Sequence, residues 1–317
     1  MRLEVRFDGA GAATPVRAAR IDRGLAHPVG MAEIVLPAGV AAPAPGASAV
    51  LSVAEEDARL RVMTGHVARS SAGGTGTVLT VLEPLAALLR PMSAERFAQT
   101  TGGAVIEALL SRHGVEVAGL LPGHAVPSVV LGPQGTVLDH AMRMARLGGM
   151  ALACGTDGRV STVALGLAVP RGAVAAERAA LRLERIAGAA DRGPLRAIGA
   201  GALGAGGPLA ATLPLSDPGP MAEGPEEACA TRRAAGLRTL ADVGNYRRAL
   251  AARRAAGAGG LALTTPLPED LSPGDVRLLP DTRGAPVRPM RVERVGLTLT
   301  AEGGLVARYS FSDAVAA

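Results

Sequence analysis

Six residues, Gly199-Ala200-Gly201-Ala202-Leu203-Gly204, carry the spacing with which dinucleotide-binding loops bring backbone amides against a pyrophosphate. That chemistry needs a helix to open at the loop, so that its first N–H groups meet the phosphates. Here Gly206-Gly207-Pro208 follows, then a strand-like run, with no β-α-β alternation around it. In a chain with 42 glycines such a match arises from composition, and a glycine-rich loop is the expected structure. A nucleotide-binding enzyme using Gly199 to Gly204 remains the reading of a different class. A helix opening near Gly204 would support it.

The other reactive residue types do not assemble in the sequence. His27, His66, His113, His124 and His140 stand apart from one another and from other ligands at metal spacing. His113 falls at a helix end, where the dipole favours a cation. Cys154 and Cys229 are too isolated for a zinc knuckle or a disulfide framework, which fits synthesis in a reducing cytoplasm. Glu55-Glu56-Asp57 has the right ligand type for Ca²⁺ but lacks the spaced oxygens of a calcium loop, so it reads as a solvated turn. There is no Gly-x-Ser-x-Gly elbow. The expectation is no catalytic, cofactor or metal residue, no cofactor, and no enzyme.

Composition narrows the class further. The 317 residues allow two or three small domains. With no Trp, two Tyr and three Phe, the core must be packed from Ala, Val, Leu and Ile. All 33 basic residues are Arg, set against 28 acids, for a net charge of +5. A nucleic-acid reader concentrates charge and interleaves aromatics; here Arg is scattered, and Arg247-Arg248 and Arg253-Arg254 read as the solvated face of a helix. The opening run Arg2 to Phe7 alternates charged and apolar residues, as a strand does and a signal peptide does not. No run of about 18 apolar residues appears, so no membrane insertion is expected.

The elements that would position any site are mostly strands. Leu3, Val5 and Phe7 share one face. Further strands are read at 31–36, 49–53, 59–64 and 77–82, with Ser70 to Gly76 as a hairpin loop. Thr101 caps a helix whose stripe is Val105, Ile106, Leu109 and Leu110, stopped at Gly114. Thr136 and Asp139 form a capping-box pair opening a second helix that ends at Gly148. A hairpin of 150–154 and 159–165 then turns at Asp157-Gly158. Strands are read at 180–186, 195–200 and 209–215, a Pro- and Gly-rich linker at 216–225, and helical sequence at 226–256 with a fresh cap at Thr239 and Asp242. Ser272-Pro273-Gly274-Asp275 is a tight turn. Met290 and Val292 are out of phase with Val295, Leu297 and Leu299, which predicts a β-bulge at Glu293-Arg294. Leu305, Ala307, Tyr309 and Phe311 form the inward face of the last strand.

The expected fold class is α+β, mainly β: two small tube-like β-barrel domains, with a small helix-hairpin α+β domain between them. The divisions are 1–92, 93–168 and 169–317, the last with a helical connection around 226–257. Two β parts flanking an insert could be a diverged duplication.

Three stretches in this order resemble the late control protein D family of phage tails, the baseplate hub, which is similar in turn to the N-terminal part of type VI secretion spike proteins. They are Val78 to Arg90 running into Thr101 to Val115; Gly135 to Val163, with Met144-Ala145-Arg146-Leu147-Gly148 and Asp157-Gly158; and Leu271 to Val276, followed by Met290 to Val295 and a closing hairpin. The chain departs from the family pattern at Pro133-Gln134-Gly135-Thr136 and over residues 166–225.

The resemblance implies a homotrimer on a tail axis, joining a hexameric tail tube protein to a central spike protein. Each subunit would supply two tube-like domains around a channel that passes DNA only as cargo. Other baseplate proteins are further expected partners, and the virion or tail-like particle the expected location. The hub of a DNA-free contractile device, a tailocin or type VI-like injector, is the alternative within the same family. No additional stretch is long enough to hold the lysozyme domain sometimes fused to such hubs.

Overall fold

The structure is a computed structural model. It describes all residues except 1, 9–11, 56–57, 74–75, 167–168, 171, 174–181, 188–193, 200–220, 229, 235, 258, 267, 280–287 and 315–317. The strand expected at 209–215 and residues 216–220 of the expected linker lie outside the described residues, and Met221–Glu223 of that linker is strand.

The first β part contains β1 (Arg2–Phe7), β2 (Thr14–Pro15), β3 (Ala18–Gly24), β4 (Met31–Leu36), β5 (Ser48–Glu55), β6 (Ala58–Gly73) and β7 (Gly76–Leu82). A 3-10 turn at Pro84–Leu88 leads into β8 (Glu95–Thr101), α1 (Gly102–Arg112), β9 (Val117–Gly119), β10 (Ala125–Leu131), α2 (Val137–Leu147), β11 (Met150–Cys154) and β12 (Val160–Ala164). The remainder holds β13 (Arg182–Ala187), β14 (Leu195–Gly199), β15 (Met221–Glu223), β16 (Ala230–Ala234), α3 (Leu240–Gly257), β17 (Gly259–Thr265), β18 (Val276–Leu279), β19 (Arg288–Thr300) and β20 (Gly304–Asp313). The molecule is α+β and mainly β, as its strand patterns predict.

One sheet runs through both β parts in the order β13-β17-β20-β19-β3-β4-β7-β6-β5-β1-β2, with β18 on the other side of β19. The seam is the antiparallel pair β3–β19, in register from Arg294 opposite Gly24 to Leu299 opposite Ala19. Residues 14–24 also bridge the two ends of the path β1-β5-β6-β7-β4. Val16 N–H donates to Leu3 O at 2.9 Å, and Arg17 N–H to Val35 O at 2.8 Å. That wrap leaves the first β part with little free edge. Leu3, Ile34, Leu51, Val292, Tyr309 and Phe311 belong to one apolar cluster that crosses the seam. A second core, around Ile106, Leu110, Leu138 and Met144, belongs to the α+β unit.

Local chemistry sets the boundaries where expected. Thr101 Oγ accepts the Ala104 N–H, and Thr136 with Asp139 forms a full capping box. Gly114 (φ 68°) and Gly158 (φ 85°) take the left-handed conformation at the helix stop and the hairpin turn. The register shifts between Val292 and Arg294, which is the predicted bulge. Leu305, Ala307, Tyr309 and Phe311 are all buried.

Helix α2 ends where expected, capped by Gly148, and the positive φ follows at Gly149 (φ 74°), but several other boundaries differ from expectation. Ser70 to Gly73 is strand rather than loop: the β6–β7 ladder continues until Gly73 faces Gly76. Small polar residues on an exposed ribbon look like a loop in sequence. The helical connection around 226–257 is shorter than expected. Ala230–Ala234 is a strand lying parallel to β14, and the helix starts only at Leu240, behind the Thr239 cap (Asp242 N–H to Thr239 Oγ, 3.1 Å). Ala and Arg favour helix, but backbone pairing with β14 overrides that weak preference. The α+β unit also carries β8, β9 and β10 in place of plain loops.

Candidate functional site

The residues with chemical potential are dispersed. Cys154 lies in β11, buried, and burial pushes its thiol well up, away from a reactive thiolate. His140 Nε2 lies 2.8 Å from Gly132 O, a structural contact. His113 is the C-cap of α1, where the dipole argument placed it. His66 sits in β6 opposite Ser48 and Leu82. His124 is 2 % exposed, and burial pulls its pKa down from 6.5 against the opposing charge of Asp242. Of the Gly199 to Gly204 loop only Gly199, the end of β14, is described; Glu56, Asp57 and Cys229 also lie outside the described residues. Among the described residues no three His, Cys, Asp or Glu side chains converge as a metal site, and no helix is long and apolar enough to cross a membrane.

What the fold does bring together is arginine with backbone carbonyls. Arg23, on seam strand β3, is 1 % exposed. Its Nε donates to Glu83 Oε1 at 2.5 Å, one Nη to Val62 O at 3.2 Å and the other to Cys154 O at 2.6 Å. Glu83 Oε2 accepts the Gly30 N–H at 2.8 Å. Burial pushes the Glu83 carboxyl up, while Arg23 and the Gly30 amide pull it back. Gly30 is glycine by close approach: a Cβ there would lie 2.6 Å from the Glu83 carboxylate.

Arg291, on seam strand β19, is also 1 % exposed, and its Nη donates to Leu165 O at 2.8 Å. Arg253 of α3 donates to Met150 O at 3.1 Å. Cys154, Leu165 and Met150 lie at the ends of the β11–β12 hairpin. Three guanidiniums from three elements thus hold one hairpin of the α+β unit, and two of them come from the paired strands that join the β parts. Removing any of these charges from water is costly, and the multiple charge-assisted hydrogen bonds are what offset that cost. Next to this joint lies a cavity of 690 Å³, lined by Leu25, Met142, Tyr246, Leu250, Arg253 and Glu293 among others.

In sequence, Arg253 reads as part of a solvated helix face, whereas the structure half-buries it against Met150 O; Arg23 and Arg291 carry no role there. The available signal was Arg23 in phase with Ala19 and Ile21 on one face of a strand. The arrangement holds three segments in a fixed relation; it does not place a nucleophile against a base.

No family model and no curated protein matches the chain. Solved structures do. The chain is similar to the 43 kDa tail protein of prophage MuSo2 from Shewanella oneidensis: TM-score 0.66 at 12% identity, covering 99% of this chain and 98% of that one. It is similar to a tail protein from Neisseria meningitidis MC58 (TM-score 0.69, 14% identity, 98% and 96% covered). It is also similar to the E. coli c3393 protein (TM-score 0.61, 11% identity, 98% and 76% covered). That protein is described as a type VI secretion component with structural similarity to T4 tail proteins gp27 and gp5. The fold is therefore that of phage tail proteins, the fold to which the three sequence stretches pointed.

Proposed function

We propose that the chain is a baseplate hub subunit of a phage-like tail, a structural part and not an enzyme. The observation that carries this reading is the full-length likeness to tail proteins, in which both β parts and the α+β unit take part together. In this reading residues 1–92, 93–168 and 169–317 are the three structural divisions. Three subunits form a ring in which each contributes two β domains, one side meeting the tail tube protein and the other the central spike protein. Neighbouring baseplate proteins complete the contacts, the particle is assembled in a bacterial cytoplasm, and DNA is cargo.

The stapled hairpin and the continuous sheet support the reading physically. A subunit that transmits load between a tube and a spike needs its parts held in fixed relation, and buried arginines bonded to backbone carbonyls of another segment resist sliding better than apolar contacts alone. The hub of a DNA-free contractile device has the same requirements and is the second reading; the likeness to the type VI component favours keeping it.

Deleting the gene tests the proposal. Particles purified from the deletion strain are expected to be tail tubes without tips, or no tails at all, when imaged by electron microscopy. Normal tipped tails from that strain would contradict it.

A further inference from the structure

A second pocket, of 310 Å³, lies between β10, α2 and the end of β16. Its lining includes Arg143 from α2, Arg233 from β16, Arg238, Ser128 and His124, and no carboxylate among the described residues. The side chains of Arg143 and Arg233 are exposed and make no hydrogen bond or ion pair with any described residue. His124 forms part of the wall, 2 % exposed, and its Nδ1 is buried without a hydrogen-bond partner. That nitrogen lies against Gly102 at the start of α1, where a Cβ would approach it to 2.8 Å, so the arginines and the strand are what point to a ligand.

The pocket wall also contains a strand edge. β10 pairs only with β8 among the described residues, and Ala125 to Val129 line the pocket. Val130, next along, is 66 % exposed. Pro127 has no N–H to donate, so an extended segment can pair with this strand only on either side of it, while guanidiniums select its charge.

We propose that this pocket is a docking site for an extended acidic segment of a partner protein, laid along β10 with its carboxylates against Arg143 and Arg233, beside the wall that His124 helps form. The site lies outside the stapled joint and does not depend on the hub reading. Carboxylate binding also favours the imidazolium form of His124. The charges around that ring are Asp242 from α3, Arg143 from α2, Arg233 from β16 and Arg238. The acid therefore reinforces what a bound carboxylate does, and the arginines oppose it.

The test uses the full chain and a fluorescent peptide of about ten residues alternating Glu and Val, with the Gln–Val peptide and an oligothymidylate of similar length as comparisons. The expected result is binding of the Glu peptide only, weakened about tenfold or more in Arg143→Gln/Arg233→Gln, since each charge-assisted bond is strong. The His124 ring resonance should titrate at a higher pH with peptide bound. Both substituted arginines are exposed, so unchanged thermal melting separates loss of binding from loss of fold. Absence of peptide binding, binding unaffected by the double substitution, or tighter binding of the oligonucleotide would each overturn the proposal, the last assigning the pocket to nucleic-acid phosphates.

Discussion

Arg23 donates to the Glu83 carboxylate at 2.5 Å with both side chains almost wholly withdrawn from solvent, and the same guanidinium reaches Cys154 O in another part of the fold. The pair is thus both a local ion pair and the tie between the first β part and the α+β unit.

Breaking that pair from one side leaves an uncompensated buried charge. Glu83→Gln or Arg23→Met is expected to cost about 3–5 kcal/mol in urea unfolding, while the double change Arg23→Met/Glu83→Leu should cost distinctly less. A double variant no more stable than either single one would mean that the geometry, and not the unpaired charge, dominates.

The seam should depend on its apolar contacts more than on its visible ion pair. Arg294 makes a bidentate pair with Asp22 across β3–β19, and Asp22 holds the guanidinium pKa up, but these side chains are 58% and 34% exposed. Asp22→Asn should change stability by less than about 1 kcal/mol. Leu297→Ala, which removes a buried side chain opposite Ile21, should cost about 2–5 kcal/mol. Denaturant midpoints of the two variants check this ordering.

His124 makes the fold acid-sensitive in a defined window. Its pKa is lowered by burial, so the folded state prefers the neutral ring. Its contribution is therefore present above the unfolded value of 6.5 and lost as pH falls through the lower folded value. Urea midpoints measured from pH 8 down to pH 5 should fall for the native chain and fall less for His124→Asn.

Backbone proximity fixes Gly260. A Cβ there would lie 1.8 Å from Phe311 O, within the β17–β20 ladder. Gly260→Ala should destabilise by about 3 kcal/mol or more, at the upper end of overpacking costs, measurable as a lowered Tm. Wild-type stability in this variant would mean that the two strands can separate there without loss.

The parts of the fold legible from sequence are those in which local chemistry and pattern agree. The Thr136–Asp139 box, the Asp157-Gly158 turn and the phase change at Glu293-Arg294 each produced the expected structure. Strand β3 was not legible because its buried face reads Ala19, Ile21, Arg23. A charged residue in a core position breaks the apolar alternation, and the carbonyls that satisfy it lie 39 and 131 residues away. β10 was obscured by Pro127, tolerated because that edge pairs with no described strand. The cationic pocket was invisible for a related reason: Arg143 and Arg233 come from separate elements, and one sequence gives no sign that they meet.

Native mass spectrometry of this chain co-expressed with its neighbouring spike gene product tests the proposed threefold hub most directly. A complex holding three copies of each chain is expected. A monomer that ignores the spike protein would contradict it.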